Sequence, residues 1–176
     1  MDRGPFGPEV IALILSIKLN HPKSVVLLRG NHETREMTES FNFRTQCLQL
    51  FGVEMYERTM ELFDLLPVAC CINGEYLCMH GGVSVELTSL GRINRIDRKR
   101  EPLEEGMLLD LLWADPHEDK DARGSYFSLN HDRACSVYFG EKPVNNLMKR
   151  EGLQGIVRAH TCVIQGYQKH YFSGKK

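Results

Sequence analysis

Four things are missing from this 176-residue sequence. No run approaches the ~18 apolar residues of a membrane span, and the start lacks a basic region followed by an apolar stretch and a cleavage site. Neither an integral membrane protein nor a secreted one is indicated. Neither charge is in excess: 22 Lys and Arg stand against 23 Asp and Glu, a formal net charge of −1. That removes any global pull toward nucleic acid or anionic lipid, so an anion site has to be local. The six cysteines (Cys47, Cys70, Cys71, Cys78, Cys135, Cys162) include no Cys-x-x-Cys pair. Several lie inside apolar runs and read as small core residues rather than zinc ligands or a redox pair. The expected setting is a reducing one, cytoplasmic or also nuclear, with no nucleic-acid and no membrane partner.

Apolar residues make up 42% of the chain, enough at this length for the core of one domain. The densest functional signal is Val25-Val26-Leu27-Leu28-Arg29-Gly30-Asn31-His32-Glu33. Four apolar residues, two of them β-branched, predict a short buried strand, Gly30 breaks it, and a carboxamide, an imidazole and a carboxylate follow at once. Glu75 to Met79 runs likewise into His80-Gly81-Gly82, and Gly155 to Ala159 into His160. Ligands of open α/β sheets gather at the carboxyl ends of strands. Three strands ending in Asn or His therefore predict one metal or phosphate site. Arg29 reads as a structural cation.

Around these stretches the pattern predicts a helix over Pro8 to Leu19 with a wide, mostly buried apolar face, stopped by His21-Pro22. Helix and following strand would be the second half of a βαβ unit whose first strand is absent. Apolar residues from Met37 to Phe51 recur at helical spacing, and their aromatics are expected in the core; a further helix covers about Val53 to Leu65. Asn73-Gly74 between two apolar runs is a hairpin signal. Short helices are expected over Leu87 to Ile96, Met107 to Trp113 and Pro143 to Glu151, the last closed by Gly152. Arg92, Arg95, Arg98, Lys99 and Arg100 read as a solvated face, and His117 to Asp132 as a long surface connection. Met1-Asp2-Arg3-Gly4 reads, on its own residues, as a frayed loop. After Gly166-Tyr167 and Tyr171-Phe172 the sequence stops in Ser173-Gly174-Lys175-Lys176, and both ends look cut from something larger.

Taken together, Asp2-Arg3-Gly4, Gly30-Asn31-His32-Glu33, His80-Gly81-Gly82, Leu112-Trp113-Ala114-Asp115-Pro116 and Arg158-Ala159-His160 resemble the catalytic domain of the PPP family of serine/threonine protein phosphatases. Thr38 to Phe43, Leu62 to Pro67 and Asp97 to Pro102 look most like its calcineurin catalytic subunit. The resemblance implies an α/β fold: a metallophosphatase β-sandwich flanked by helices, here a partial domain over residues 1–176, truncated at both ends. It implies hydrolysis of phosphoserine and phosphothreonine in proteins by a water activated between two metal ions (Fe, Zn or Mn), with phosphoprotein substrates and regulatory subunits as partners.

Roles follow residue by residue from the same resemblance. Asn31, His80 and His160 would be ligands of the second metal. His32 would be the general acid, oriented by Asp2, and Arg3 and Arg133 would hold phosphate oxygens in the bidentate geometry of guanidinium. Ligands of the first metal, supplied in the family by an upstream Gly-Asp-x-His-Gly and a bridging Asp, have no counterpart in the sequence, nor does the closing Ser-Ala-Pro-Asn-Tyr stretch. The residue after Arg133, usually Gly, is Ala134. A noncatalytic phosphopeptide-binding module and a diesterase are the rival expectations.

Overall fold

The computed structural model describes residues 1–118 and 126–170. They form two compact units: Met1–Pro67 with Arg98–Glu101, and Val68–Asp97 with the chain from Pro102 onward.

The first unit is helical. α1 (Gly7–Asn20) starts with Pro8 in its first turn and is capped by His21, whose N–H donates to Ile17 O. Its wide apolar face is not buried as expected: only Gly7, Pro8 and Ile11 are, while Leu13 is 61% and Leu19 80% exposed. A helix face is buried only by what packs on it, and beyond its first turn α1 gives this unit's core only Ile11 and Leu15. The run from Thr34 breaks at Phe41-Asn42 into α2 (Arg35–Ser40), whose N-cap Thr34 accepts from Met37 N–H, and α3 (Phe43–Leu50). α4 (Val53–Leu65) has the expected bounds. Phe43 and Cys47 join Ile11, Tyr56, Met60 and Phe63 in the core. Phe41 and Phe51 do not, at 38% and 59% exposed.

Val25 to Leu28 forms no strand. Neither sheet includes it, and an extended apolar segment becomes a strand only where a neighbour completes its ladder. The βαβ half expected here is accordingly not formed among the described residues. What fixes the segment's end is Arg29, fully buried, which donates to Glu33 O, Arg98 O, Arg100 O and Asp64 Oδ1 at 2.8–2.9 Å. The structural reading of Arg29 holds.

The second unit carries both sheets. β1 (Ala69–Ile72) and β2 (Tyr76–Met79) pair antiparallel, and their turn puts Asn73 and Gly74 at φ 54° and 74° with Glu75 N–H on Ile72 O. That is the left-handed backbone for which Asn-Gly is suited. α5 (Leu90–Ile93) is shorter than expected, and α6 (Met107–Trp113) is as expected. β3 (Asp115–Pro116), β4 (Phe127–Leu129) and β5 (Val137–Phe139) make a second sheet in the order β3-β5-β4. The connection expected over His117 to Asp132 thus holds a strand, since β4 finds an antiparallel partner in β5. Residues 119–125 of that connection, with Tyr171-Phe172 and Ser173 to Lys176, lie outside the described residues. α7 (Glu141–Glu151) ends at Gly152, φ 69°. β6 (Gly155–Arg158) lies parallel to β2, giving the order β1-β2-β6. Leu77 and Met79 of the first sheet, Phe139 of the second, and Leu111, Leu112, Val144 and Leu147 of α6 and α7 share one core. The fold class is the α/β one expected, built here of helices and two three-stranded sheets. Among the described residues no helix is long and apolar enough to cross a membrane.

Candidate active site

In the first unit the site is built on the loop from Gly30 to Glu33. Gly30 N–H donates to Glu33 Oε2 at 2.8 Å, and Thr34 Oγ1 to Asn31 O at 2.7 Å, so the turn is closed by its own side chains. Burial pushes the Glu33 carboxyl above its ordinary range, opposed by that Gly30 bond. Asn31 is buried. His32 presents Nδ1 to Asp2 Oδ2 at 2.7 Å, and Asp2 Oδ1 accepts Phe43 N–H at 3.0 Å. Asp2 is only 2% exposed, so the frayed loop of the sequence reading is a tied one: a buried carboxylate needs these donors, and they hold it. Arg3 is exposed, its guanidinium carbon 5.5 Å from the Phe41 ring centroid. The same ring stands edge-on to His32 at 4.9 Å.

In the second unit the parallel pairing of β2 with β6 sets Met79 beside Arg158 and brings the turns after both strands to one edge. Of the three strand ends expected there, two are found. His80 Nε2 lies 3.1 Å from His160 Nδ1. His160 has φ 62°, and its Nε2 is buried without a hydrogen-bond partner among the described residues. Burial, then the nearby Arg133 charge, pushes His160 down to about 3, which leaves a neutral imidazole. Gly81 and Gly82 let the His80 turn press against α6 and β5. A Cβ on Gly81 would stand 2.6 Å from the Leu112 carbonyl carbon, and one on Gly82 2.0 Å from the Phe139 ring.

Asp115 is the hub of this edge. Its Oδ2 accepts from Arg133 Nε at 2.8 Å and Asn130 Nδ2 at 3.1 Å; its Oδ1 accepts from Arg158 Nη2 at 2.8 Å and Thr161 Oγ1 at 3.1 Å. Burial alone would raise its pKa, but the bonds from Arg133, Asn130 and Arg158 outweigh it and hold the carboxylate well below its usual range. Arg158 also donates to Gly81 O and Ala114 O, and Arg133 Nη2 to His160 O. A cavity of about 330 Å³ opens beside Arg133, lined by Asp115, His117, Asp132, Tyr138 and Thr161.

Two facing imidazoles, one of them neutral with an orphaned buried nitrogen, are a donor pair that suits a borderline ion such as Mn, Zn or Fe. Among the described residues no group of three or more His, Cys, Asp and Glu gathers around an ion position. Sequence reasoning named neither Asp115 nor Arg158 nor Phe41 as functional. Each lies inside a stretch that carries the resemblance, and that was the available signal.

The sequence profile of the family described as calcineurin-like phosphoesterase matches residues 1–163. The chain is 40% identical over 179 residues to the serine/threonine-protein phosphatase 2B catalytic subunit A1 of Saccharomyces cerevisiae, covering 97% of this chain and 32% of that protein. It is 36% identical to the phosphatase 4 catalytic subunit of Kluyveromyces lactis, covering 99% of this chain and 55% of that one. Among solved structures, a serine/threonine phosphatase from Saccharomyces cerevisiae with similarity to human phosphatase PP5 superposes with a TM-score of 0.85 at 29% identity, over 93% of this chain and 50% of that one. The chain therefore spans about a third to a little over half the length of these relatives.

Proposed function

The chain belongs to the calcineurin-like phosphoesterase family, and from that premise we propose that the protein carrying it is a metal-dependent phosphatase of phosphoserine and phosphothreonine in proteins. The observation that carries this reading is the Asp2–His32 pair at 2.7 Å, one partner 2% exposed. A module that only binds phosphopeptide needs cations. It has no use for an imidazole whose tautomer is fixed by a buried carboxylate.

With Nδ1 held by Asp2, Nε2 is the nitrogen His32 has left for substrate, and the proton it carries passes to the departing seryl or threonyl oxygen. Asp2 fixes which ring nitrogen is turned outward. Following the resemblance, Asn31, His80 and His160 would be metal ligands and Arg3 and Arg133 phosphate cations, with the Nε of Arg133 committed to Asp115. When bound, the metal supplies Lewis acidity toward phosphoryl oxygen and water. Phosphoproteins are the substrates, and the regulatory subunits expected from the resemblance are the partners.

The test is hydrolysis of a phosphoserine peptide by the full-length protein with manganese, alongside His32→Gln. Loss of a general acid lowers kcat by ~10²–10⁴-fold. Peptide bound by the wild type without turnover in manganese, zinc or iron refutes the enzyme and favours the binding module. A diester cleaved faster than the monoester refutes the substrate class.

A further inference from the structure

Phe41 was expected in the core and is instead 38% exposed at the end of α2, where its N–H donates to Met37 O as the helix cap. The cap fixes its backbone one residue before Asn42 and α3. From there the ring meets two side chains. Its face lies under the Arg3 guanidinium at 5.5 Å, and the His32 imidazole stands against it at 4.9 Å with the planes inclined by 67°. Both distances are within the range at which an aromatic quadrupole attracts a cation or a second ring.

From these contacts we infer that Phe41 is a positioning residue that holds the Arg3 guanidinium for the substrate phosphate and braces the His32 ring for proton transfer. The inference rests on the roles proposed above for Arg3 and His32. Arg3 is exposed and no salt bridge to it is found among the described residues, so the ring face is the contact that narrows its positions. His32 is held at Nδ1 by Asp2. The Phe41 edge contact is a second restraint on the same ring. No bond to Phe41 forms or breaks, and it need not touch the reacting atoms.

The two functions separate in an assay of the full-length protein with manganese. Phe41→Leu keeps apolar bulk and removes the aromatic face; Phe41→Trp keeps the face. Losing the Arg3 contact weakens inorganic phosphate, measured as a competitive inhibitor and by calorimetry, by about two- to fivefold. Losing the brace lowers kcat on a phosphoserine peptide more than on p-nitrophenyl phosphate, because p-nitrophenolate departs without needing a proton. Phe41→Trp restores both. In an Arg3→Ala background Phe41→Leu no longer changes phosphate affinity, as a shared contact requires. Unchanged phosphate affinity together with an unchanged ratio of the two kcat values overturns the inference, and so does a loss that Phe41→Trp fails to restore. If the wild type turns over neither substrate, the proposed function falls, while calorimetry of inorganic phosphate on wild type and Phe41→Leu still decides whether Phe41 holds Arg3.

Discussion

Replacing Asp115 by Asn tests the hub of the second unit. The carboxylate is 7% exposed, the side chains of Arg158 and Arg133 are 13% and 28% exposed, and four donors converge on its two oxygens at 2.8–3.1 Å. Asn keeps the shape but has one acceptor oxygen. Its amide N–H groups would face two of those donors, and two guanidinium charges would lose their counter-charge. Removing one partner of such a buried pair costs ~3–5 kcal/mol, which for a domain of this size lowers the melting temperature by about 6–20 °C. The pH dependence distinguishes lost charge from lost shape. The folded-state pKa of Asp115 lies below the unfolded value, so its contribution is complete above the unfolded value of ~3.9 and is lost as pH falls through the folded one. The stability difference between wild type and Asp115→Asn, from urea unfolding of the full-length protein, is therefore largest at pH 6–7 (roughly two units above that value) and narrows in acid. A difference under ~1 kcal/mol near neutrality, the size of an exposed pair, refutes the reasoning. So does a gap that stays constant below about pH 4.

Two further substitutions probe each unit by itself. Gly82→Ala places a Cβ 2.0 Å from a ring carbon of Phe139, itself 4% exposed. Overpacking of this kind costs ~1–3 kcal/mol, and the cost should shrink when Phe139→Leu is added; equal melting temperatures for Gly82→Ala and wild type would discard the close approach. Arg29→Met takes one donor from Asp64, which keeps Arg35, and strands three carbonyl oxygens, Glu33 O, Arg98 O and Arg100 O. A loss of at least ~3 kcal/mol, roughly 1 for each stranded oxygen, is expected from the shift in the urea midpoint, and a midpoint within error of wild type would show that Arg29 does not anchor the loop.

Much of the fold was legible because local chemistry decided it. Asn73-Gly74 specified a left-handed turn, Gly152 a helix end, and Pro67 the stop after α4. The failures share another cause. Val25 to Leu28 has the composition of a buried strand, and α1 the apolar width of a buried helix, but strand and burial are properties of neighbours, which composition does not reveal. Phe41 and Phe43 are alike in sequence; one caps α2 facing a polar loop while the other starts α3 in the core. Among the candidate site residues, the strand-end rule pointed to His80 and His160, which lie 3.1 Å apart, and the resemblance named Asp2, Arg3 and Arg133. Asp115 was quoted within a motif and given no role, since four donors drawn from residues 130, 133, 158 and 161 converge on it only in three dimensions.

The backbone around that hub explains why two carboxylates are buried there. Ala134, Ser136 and His160 have φ of 56°, 60° and 62°, the left-handed region that costs a residue with a Cβ ~1 kcal/mol or more. Ala134 stands where the family usually has glycine, yet keeps the conformation glycine would favour. The surroundings must impose it. Asn130 Oδ1 takes Arg133 N–H at 3.2 Å, Asn130 N–H donates to Ser136 O at 3.2 Å, and Ser136 Oγ donates to Asp110 Oδ1 at 2.7 Å. Asp110 also binds Ser84 in the chain leaving His80-Gly81-Gly82, and burial pushes its carboxyl above the usual range against those two hydroxyl bonds. Asp115 does the same work on the other side, tying Arg133 to Thr161 and, through Arg158, to Gly81. Two buried acids thus hold the turns that carry Arg133 and the two histidines, those around Arg133 and His160 being the strained ones. Their acidity differs because Asp110 is bonded by neutral hydroxyls and Asp115 by guanidinium ions. Of the two, Asp115 is therefore the one whose loss should displace Arg133, and with it the phosphate contact proposed for that residue, and Asp110 the one whose loss should register first in the geometry of the His80 turn.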